Sequence, residues 1–246
     1  MEAREEIRRG NGQEKKVQAR VGQKRVAILT GGSIDLAFAE AYLKEYGATT
    51  VIAVDKGLAA AVRLSETMGL ELDYVVGDYD SVDPKILSQV QERFWLTGKP
   101  VLRTYPPEKD ATDTELALSL ALSLEPEEIV LLGATGTRFD HAFANIQLLY
   151  QALTREIPAS IVDGHNRISL IDAPIRLRKK DAFGDFLSLI PLTEAVTGLT
   201  LTGMKYPLER AELRLGSSLG ISNEIVEEEA EIRLEDGVLI VFETKD

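Results

Sequence analysis

The chain contains no cysteine. That absence excludes disulfides, thiolate zinc sites and a cysteine nucleophile. Only two histidines, His141 and His165, are present, so a three-histidine metal centre is excluded too. Metal chemistry is left with carboxylate oxygen, which suits Mg²⁺, Mn²⁺ or Ca²⁺. No apolar run approaches the roughly 20 residues a helix needs to span a bilayer. The N-terminal stretch has no apolar segment of the kind a secretory signal requires, so the expected location is the cytoplasm. The phosphate-loop pattern GxxxxGK(S/T) is missing, and Gly31-Gly32-Ser33 does not make the dinucleotide pattern GxGxxG.

Positive charge is also scarce. The 246 residues carry 28 Lys and Arg against 40 Asp and Glu, a formal charge of −12. Nucleic acid and acidic membrane surfaces are therefore excluded as expected partners. The basic residues concentrate in residues 1–25, with eight of them against four acidic ones, which leaves −16 on the rest. Residues 1–24 read as a disordered leader or tag. The remainder, in a chain that is 44% hydrophobic and 28% charged, is long enough to bury a core without staples.

From Arg25 onward, short apolar runs alternate with helical patterns. Runs at 25–30, 50–55, 73–78, 101–106 and 127–133 read as strands. Stretches at 33–47, 56–69, 84–93, 112–124 and about 140–154 read as helices. This alternation predicts βαβ units and a mostly parallel sheet flanked by helices, with ligands at the C-terminal strand ends. After Pro158 the runs are short and β-rich, predicting a C-terminal β-sandwich. Asp236-Gly237, between two alternating runs, predicts a hairpin. The expected division is an α/β domain over 25–157 and a β domain over 158–246.

Four clusters at strand ends carry the chemistry. Asp55 ends a strand in Val54-Asp55-Lys56-Gly57, where an acidic tip can bind a ribose hydroxyl or a metal. Gly77-Asp78-Tyr79-Asp80-Ser81 ends the next, and in extended chain Asp78 and Asp80 share one side, facing one cation. The same residues also suit a solvated acidic turn. In Lys109-Asp110-Ala111-Thr112-Asp113-Thr114-Glu115, Thr112 and Glu115 form a capping box. A helix start with Lys109, Asp110 and Asp113 beside it also suits a phosphate chain with Mg²⁺. Gly133-Ala134-Thr135-Gly136-Thr137-Arg138-Phe139-Asp140-His141 offers backbone amides, a clamp in Arg138 and a carboxylate in Asp140. Asn145 lies one helical turn beyond His141. His165 reads as a structural turn residue.

Together with Ser222-Asn223-Glu224, these ordered motifs resemble the thiamine pyrophosphokinase family in its bacterial form, over about Arg25 to Phe242. The resemblance implies an N-terminal α/β domain, a C-terminal β-sandwich and a homodimer with sites at the subunit interface. It implies transfer of the pyrophosphoryl group of ATP to the thiamine hydroxyl, releasing AMP. On this reading Asp55, Asp78, Asp80, Asp110 and Asp113 hold Mg²⁺ and ATP phosphates, with Asp78, Asp80 and Asp110 as metal ligands. The catalytic set is Asp80, Asp110, Arg138 and Asp140, with Asp140 orienting or deprotonating the hydroxyl. Gly57, Lys109, Thr112, Gly133, Thr135, Gly136, His141 and Asn145 are further ATP contacts, and Ser222 and Asn223 match the segment lying against thiamine. One departure is that Ile225-Val226 follows Ser222-Asn223-Glu224, where some members carry an aromatic residue. Rival readings are a pyrophosphokinase for a hydroxymethyl pterin, a glycosyltransferase using Asp78-x-Asp80, and a non-catalytic nucleotide-binding module.

Overall fold

The computed structural model describes residues 24–105 and 110–246. The expected leader therefore falls almost wholly outside the described residues, as does Lys109. The first half alternates β1 (Arg25–Leu29), β2 (Thr50–Val54), β3 (Tyr74–Gly77), β4 (Val101–Thr104) and β5 (Glu128–Leu132) with helices. Those are α1 (Leu36–Tyr46), α2 (Gly57–Met68), α3 (Pro84–Thr97), α4 (Asp113–Ser123) and α5 (Phe139–Leu153). Along β1, Val26 and Ile28 pack with α4 and α5, whereas Ala27 and Leu29 pack with α1 and α2. A strand covered on both faces must be apolar at every position, which is why these runs do not alternate.

Local chemistry sets the helix ends. The Asp35 carboxylate accepts from the Phe38 amide at 2.9 Å, so α1 begins at Leu36 and residues 31–34 stay a loop. Thr112 accepts from the Glu115 amide at 3.2 Å and starts α4. At the far ends of α1, α2 and α3, glycines in the left-handed conformation stop the helices.

The C-terminal strands are β6 (Ala159–Val162), β7 (Asn166–Ile171), β8 (Ile175–Arg178), β9 (Phe186–Pro191), β10 (Ala195–Thr202), β11 (Leu208–Arg214), β12 (Glu229–Arg233) and β13 (Leu239–Thr244). One nine-stranded sheet has the order β4-β3-β2-β1-β5-β6-β7-β13-β9. It is parallel from β4 to β6 and antiparallel from β6 to β9. The sheet thus runs without a break through the division expected at 157/158. A second sheet, β11-β10-β12-β8, is antiparallel. Leu187, Leu189, Leu239 and Val241 from the large sheet share one core with Val196, Leu199, Leu213 and Ile232 from the small one, which makes the sandwich.

Asp236-Gly237 is not a hairpin. β12 pairs with β10 and β8, while β13 pairs with β7 and β9, so this turn carries the chain between sheets. The physical reason lies in burial: both strands send side chains into the same core, from opposite sides. Alternation alone does not distinguish a strand's hairpin partner from the strand stacked across a core.

The sheet order reverses between β1 and β5: β2, β3 and β4 extend to one side of β1, and β5 lies on the other. At such a point the two flanking loops diverge and open a crevice at the C-terminal strand ends. No helix among the described residues is long and apolar enough to cross a membrane.

Candidate active site

A cleft of about 670 Å³ opens at that reversal. Thr30–Ser33 after β1, Val54–Lys56 at the end of β2, and Asp78 and Ser81 after β3 line it. The remaining wall comes from Ala111–Thr114 at the start of α4, Gly133–Arg138 after β5, and His141, Ala142 and Asn145 of α5.

Hydrogen bonds fix the loop after β5 from three directions. Gly32 N donates to Gly133 O at 2.8 Å and Ser33 N to Thr135 O at 2.9 Å, tying it to the loop after β1. The buried Asn145 side chain donates to Ala134 O at 2.8 Å from α5. Thr135 Oγ1 donates to Asp163 Oδ2 at 2.7 Å in the turn between β6 and β7. Across the floor, the buried hydroxyls of Thr30 and Thr114 share a hydrogen bond of 2.7 Å, joining β1 to α4.

Asp55 and Tyr79 both take the left-handed backbone conformation, with φ of 43° and 64°. Non-glycine residues pay strain there, and such strain concentrates at functional sites. The extended chain that would put Asp78 and Asp80 on one side is interrupted by the left-handed Tyr79 between them. Asp78 lines the cleft, whereas Asp80 is exposed and absent from the lining, its amide donating to Asp78 Oδ1 at 3.1 Å.

Of the expected site residues, the cleft gathers Asp55, Asp78, Thr112, Asp113, Gly133, Thr135, Gly136, Arg138, His141 and Asn145. Asp80, Asp110, Asp140, Gly57, Ser222 and Asn223 do not line it. Gly57 serves packing: a Cβ there would come within 2.1 Å of Leu29 O, so glycine lets α2 approach β1. Asp140 is exposed and binds Arg138 with both oxygens, at 3.2 Å to Nε and 2.5 Å to Nη2. That guanidinium pulls the Asp140 carboxyl down to about 2. Thr30, the Gly31-Gly32-Ser33 loop, Ser81 and Thr114 were not expected. Their signal was positional: Gly31-Gly32 directly follows the central strand.

Asn223, in the sandwich, is buried and its side chain is committed. Oδ1 accepts from the amides of Tyr206 and Glu224, both at 2.9 Å, and Nδ2 donates to Tyr206 O at 2.8 Å. It therefore holds the Tyr206 segment, whose ring is exposed with the Lys205 ammonium 5.6 Å from its centroid. Ser222, with φ of 57°, donates from its amide to Ser188 Oγ at 2.9 Å.

Comparison with known proteins gives two family models. The one described as thiamin pyrophosphokinase, catalytic domain, matches residues 43–161. The one described as thiamin pyrophosphokinase, vitamin B1 binding domain, matches residues 173–239. Thiamine pyrophosphokinase of Bacillus subtilis (strain 168) is 35% identical over 198 residues, covering 80% of this chain and 88% of that protein. The crystal structure of thiamine pyrophosphokinase from Bacillus subtilis superposes with a TM-score of 0.78 at 30% identity, over 91% of this chain and 100% of that one. The thiamin pyrophosphokinase structure from Geobacillus thermodenitrificans gives 0.76 at 30% identity, over 90% and 98%.

Proposed function

The chain belongs to the thiamine pyrophosphokinase family, and on that premise we propose how its cleft moves the pyrophosphoryl group of ATP to the hydroxyl of thiamine. The single observation that carries the proposal is the meeting of Asp55, Asp78, Asp113 and Arg138 in one cleft at the sheet reversal. The thiamine hydroxyl oxygen attacks the β-phosphorus of ATP, and the bond from that phosphorus to the α–β bridging oxygen breaks. AMP leaves carrying the new negative charge, and the hydroxyl proton passes to solvent or a nearby base.

The donor set at the cleft is oxygen, which fits Mg²⁺. Among the described residues, no three Asp, Glu, His or Cys side chains are grouped closely enough to enclose a cation. Mg²⁺ commonly takes only one or two carboxylates and fills its shell with phosphate and water. One or two of Asp55, Asp78 and Asp113 would hold the ion with ATP, and when bound it would neutralise phosphate charge. Asp80 and Asp110, expected as ligands, adjoin the lining residues Ser81 and Ala111 and stand outside the proposed ligand set.

The chain's own groups supply orientation. The amides of the loop after β5 and the start of α4 face the phosphates. Arg138 stabilises charge growing toward AMP, and its two-pronged bond to Asp140 holds it in place. A carboxyl near 2 is a weak base at neutral pH, so we assign Asp140 to positioning Arg138 rather than to taking the proton. Phosphoryl transfer through a loose transition state requires little help from a base.

The same proposal includes a homodimer. Phe139, Phe143 and Tyr150 of α5 are 84%, 56% and 47% exposed, and Phe139 adjoins Arg138 at the cleft. A second copy covering this face would bring its own Ser222-Asn223 segment towards the reaction. The location proposed is the cytoplasm, where ATP is abundant. The test is AMP formation that requires both thiamine and Mg²⁺. AMP formation supported equally well by a hydroxymethyl pterin would contradict the substrate assignment.

A further inference from the structure

Asp163 lies outside every motif considered above, in the turn between β6 and β7 where the sheet changes from parallel to antiparallel. Its two oxygens have separate tasks. Oδ1 accepts from the His165 amide at 2.8 Å, the Asn166 amide at 2.9 Å and Asn166 Nδ2 at 2.9 Å. Three donors on one oxygen fix the carboxylate in the turn. Oδ2 is then aimed at the cleft loop, where it accepts from Thr135 Oγ1 at 2.7 Å. Asn166 Nδ2 also reaches Oδ2, at 3.1 Å.

Ser33, Gly32 and Asn145 hold the backbone carbonyls of this loop, and among the described residues only Asp163 holds the Thr135 side chain. Held at its hydroxyl, the Thr135 side chain is fixed at χ1, and because rotamer and backbone angles are coupled the bond helps set the amides on either side of Thr135. It also commits the hydroxyl proton, leaving Thr135 Oγ1 an acceptor towards any further partner. Burial pushes the Asp163 carboxyl up, yet the donors around it outweigh burial and hold it below the ordinary range. The carboxylate is therefore charged at neutral pH, and hydrogen bonds to a charged acceptor are the stronger kind.

We propose that Asp163 is a positioning residue for ATP binding, acting through the Thr135 hydroxyl to set the loop that faces the phosphates. The inference rests on the ATP-dependent reading above. It links the turn that opens the antiparallel part of the sheet to the nucleotide cleft.

The test is equilibrium binding of a non-hydrolysable ATP analogue with Mg²⁺ to the full chain and to Asp163→Ala, Thr135→Val and the double variant. Each single change should weaken binding about tenfold, the scale of one hydrogen bond to a charged group. The double variant should bind no more weakly than Thr135→Val, because both changes remove one path. Thr135→Ser, which keeps the hydroxyl, should recover most of the loss. Melting temperature separates this from mere support of the turn: Asp163→Ala should lower it in both backgrounds, since the Oδ1 bonds do not involve Thr135. If Asp163→Ala fails to fold, Asp163→Asn keeps an oxygen for the turn while reversing the polarity offered to Thr135, and the same coupling should appear. Additive losses, or unchanged binding by Asp163→Ala, would overturn the inference alone. Failure of the unsubstituted protein to bind the analogue would instead overturn the ATP reading, and this inference with it.

Discussion

Gly77 lies so close to Asp55 that a Cβ on Gly77 would come within 1.9 Å of Asp55 Oδ1. The two residues end neighbouring strands, and Gly77 has a φ of 147° that a side chain would strain. The Asp55 carboxylate, which lines the cleft, thus keeps its place because its neighbour has no side chain.

Gly77→Ala should therefore displace Asp55 and cost stability as well. Strain at such a backbone position is about 1–3 kcal/mol. The expected result is a fall in AMP formation of at least about tenfold with a lowered melting temperature. Normal turnover in Gly77→Ala would show that the position of Asp55 does not matter.

Asn145 is a second such support. Asn145→Ala leaves the Ala134 carbonyl without its buried donor, a loss of about 1–3 kcal/mol. Thermal unfolding should show a drop of roughly 2–4 °C for each kcal/mol lost. KM for ATP should rise more than KM for thiamine, since the supported loop lines the nucleotide cleft. Equal rises in both would assign Asn145 to general stability only.

The pH profile tests Asp140. Its carboxyl is depressed by Arg138 to about 2, below its ordinary value. The ion pair is therefore fully formed above the ordinary carboxylate range and is lost only as pH falls through about 2. Over roughly pH 5 to 9 the rate should show no limb belonging to Asp140. Asp140→Asn should lower kcat by loosening Arg138, with the apparent pKa values of the profile unmoved. Loss of a limb in that variant would make Asp140 the proton acceptor after all.

In the sandwich, Asn223→Ala removes both bonds to the Tyr206 backbone. Steady-state kinetics should show KM for thiamine raised about tenfold, with KM for ATP within about twofold of normal. A larger effect on ATP would break the assignment of this segment to thiamine.

Much of this site was legible in the sequence because parallel sheets put ligand groups at strand ends. Asp55, Asp78 and Asp113 each follow or precede a recognisable apolar run, so their positions could be read before their neighbours were known. Three features were not legible, for different reasons. The left-handed Tyr79 separates Asp78 from Asp80, and local alternation carries no sign of it. Gly31-Gly32-Ser33 matched no phosphate pattern, yet the strand order places it at the reversal, and strand order is a property of the whole fold. Asp163 acts across 28 residues on Thr135, and nothing in the run around it marks that contact. The Asp236-Gly237 turn shows the same limit: which sheet a strand joins is settled by the core, not by its alternation.

The most direct test of the account follows the phosphorus atoms of ATP. ATP labelled separately at the α, β and γ positions is incubated with the protein, thiamine and Mg²⁺, and the products are separated. The account predicts β and γ label in equal amount in thiamine diphosphate, with all α label in AMP. Thiamine monophosphate carrying γ label alone, with ADP as the other product, would contradict it.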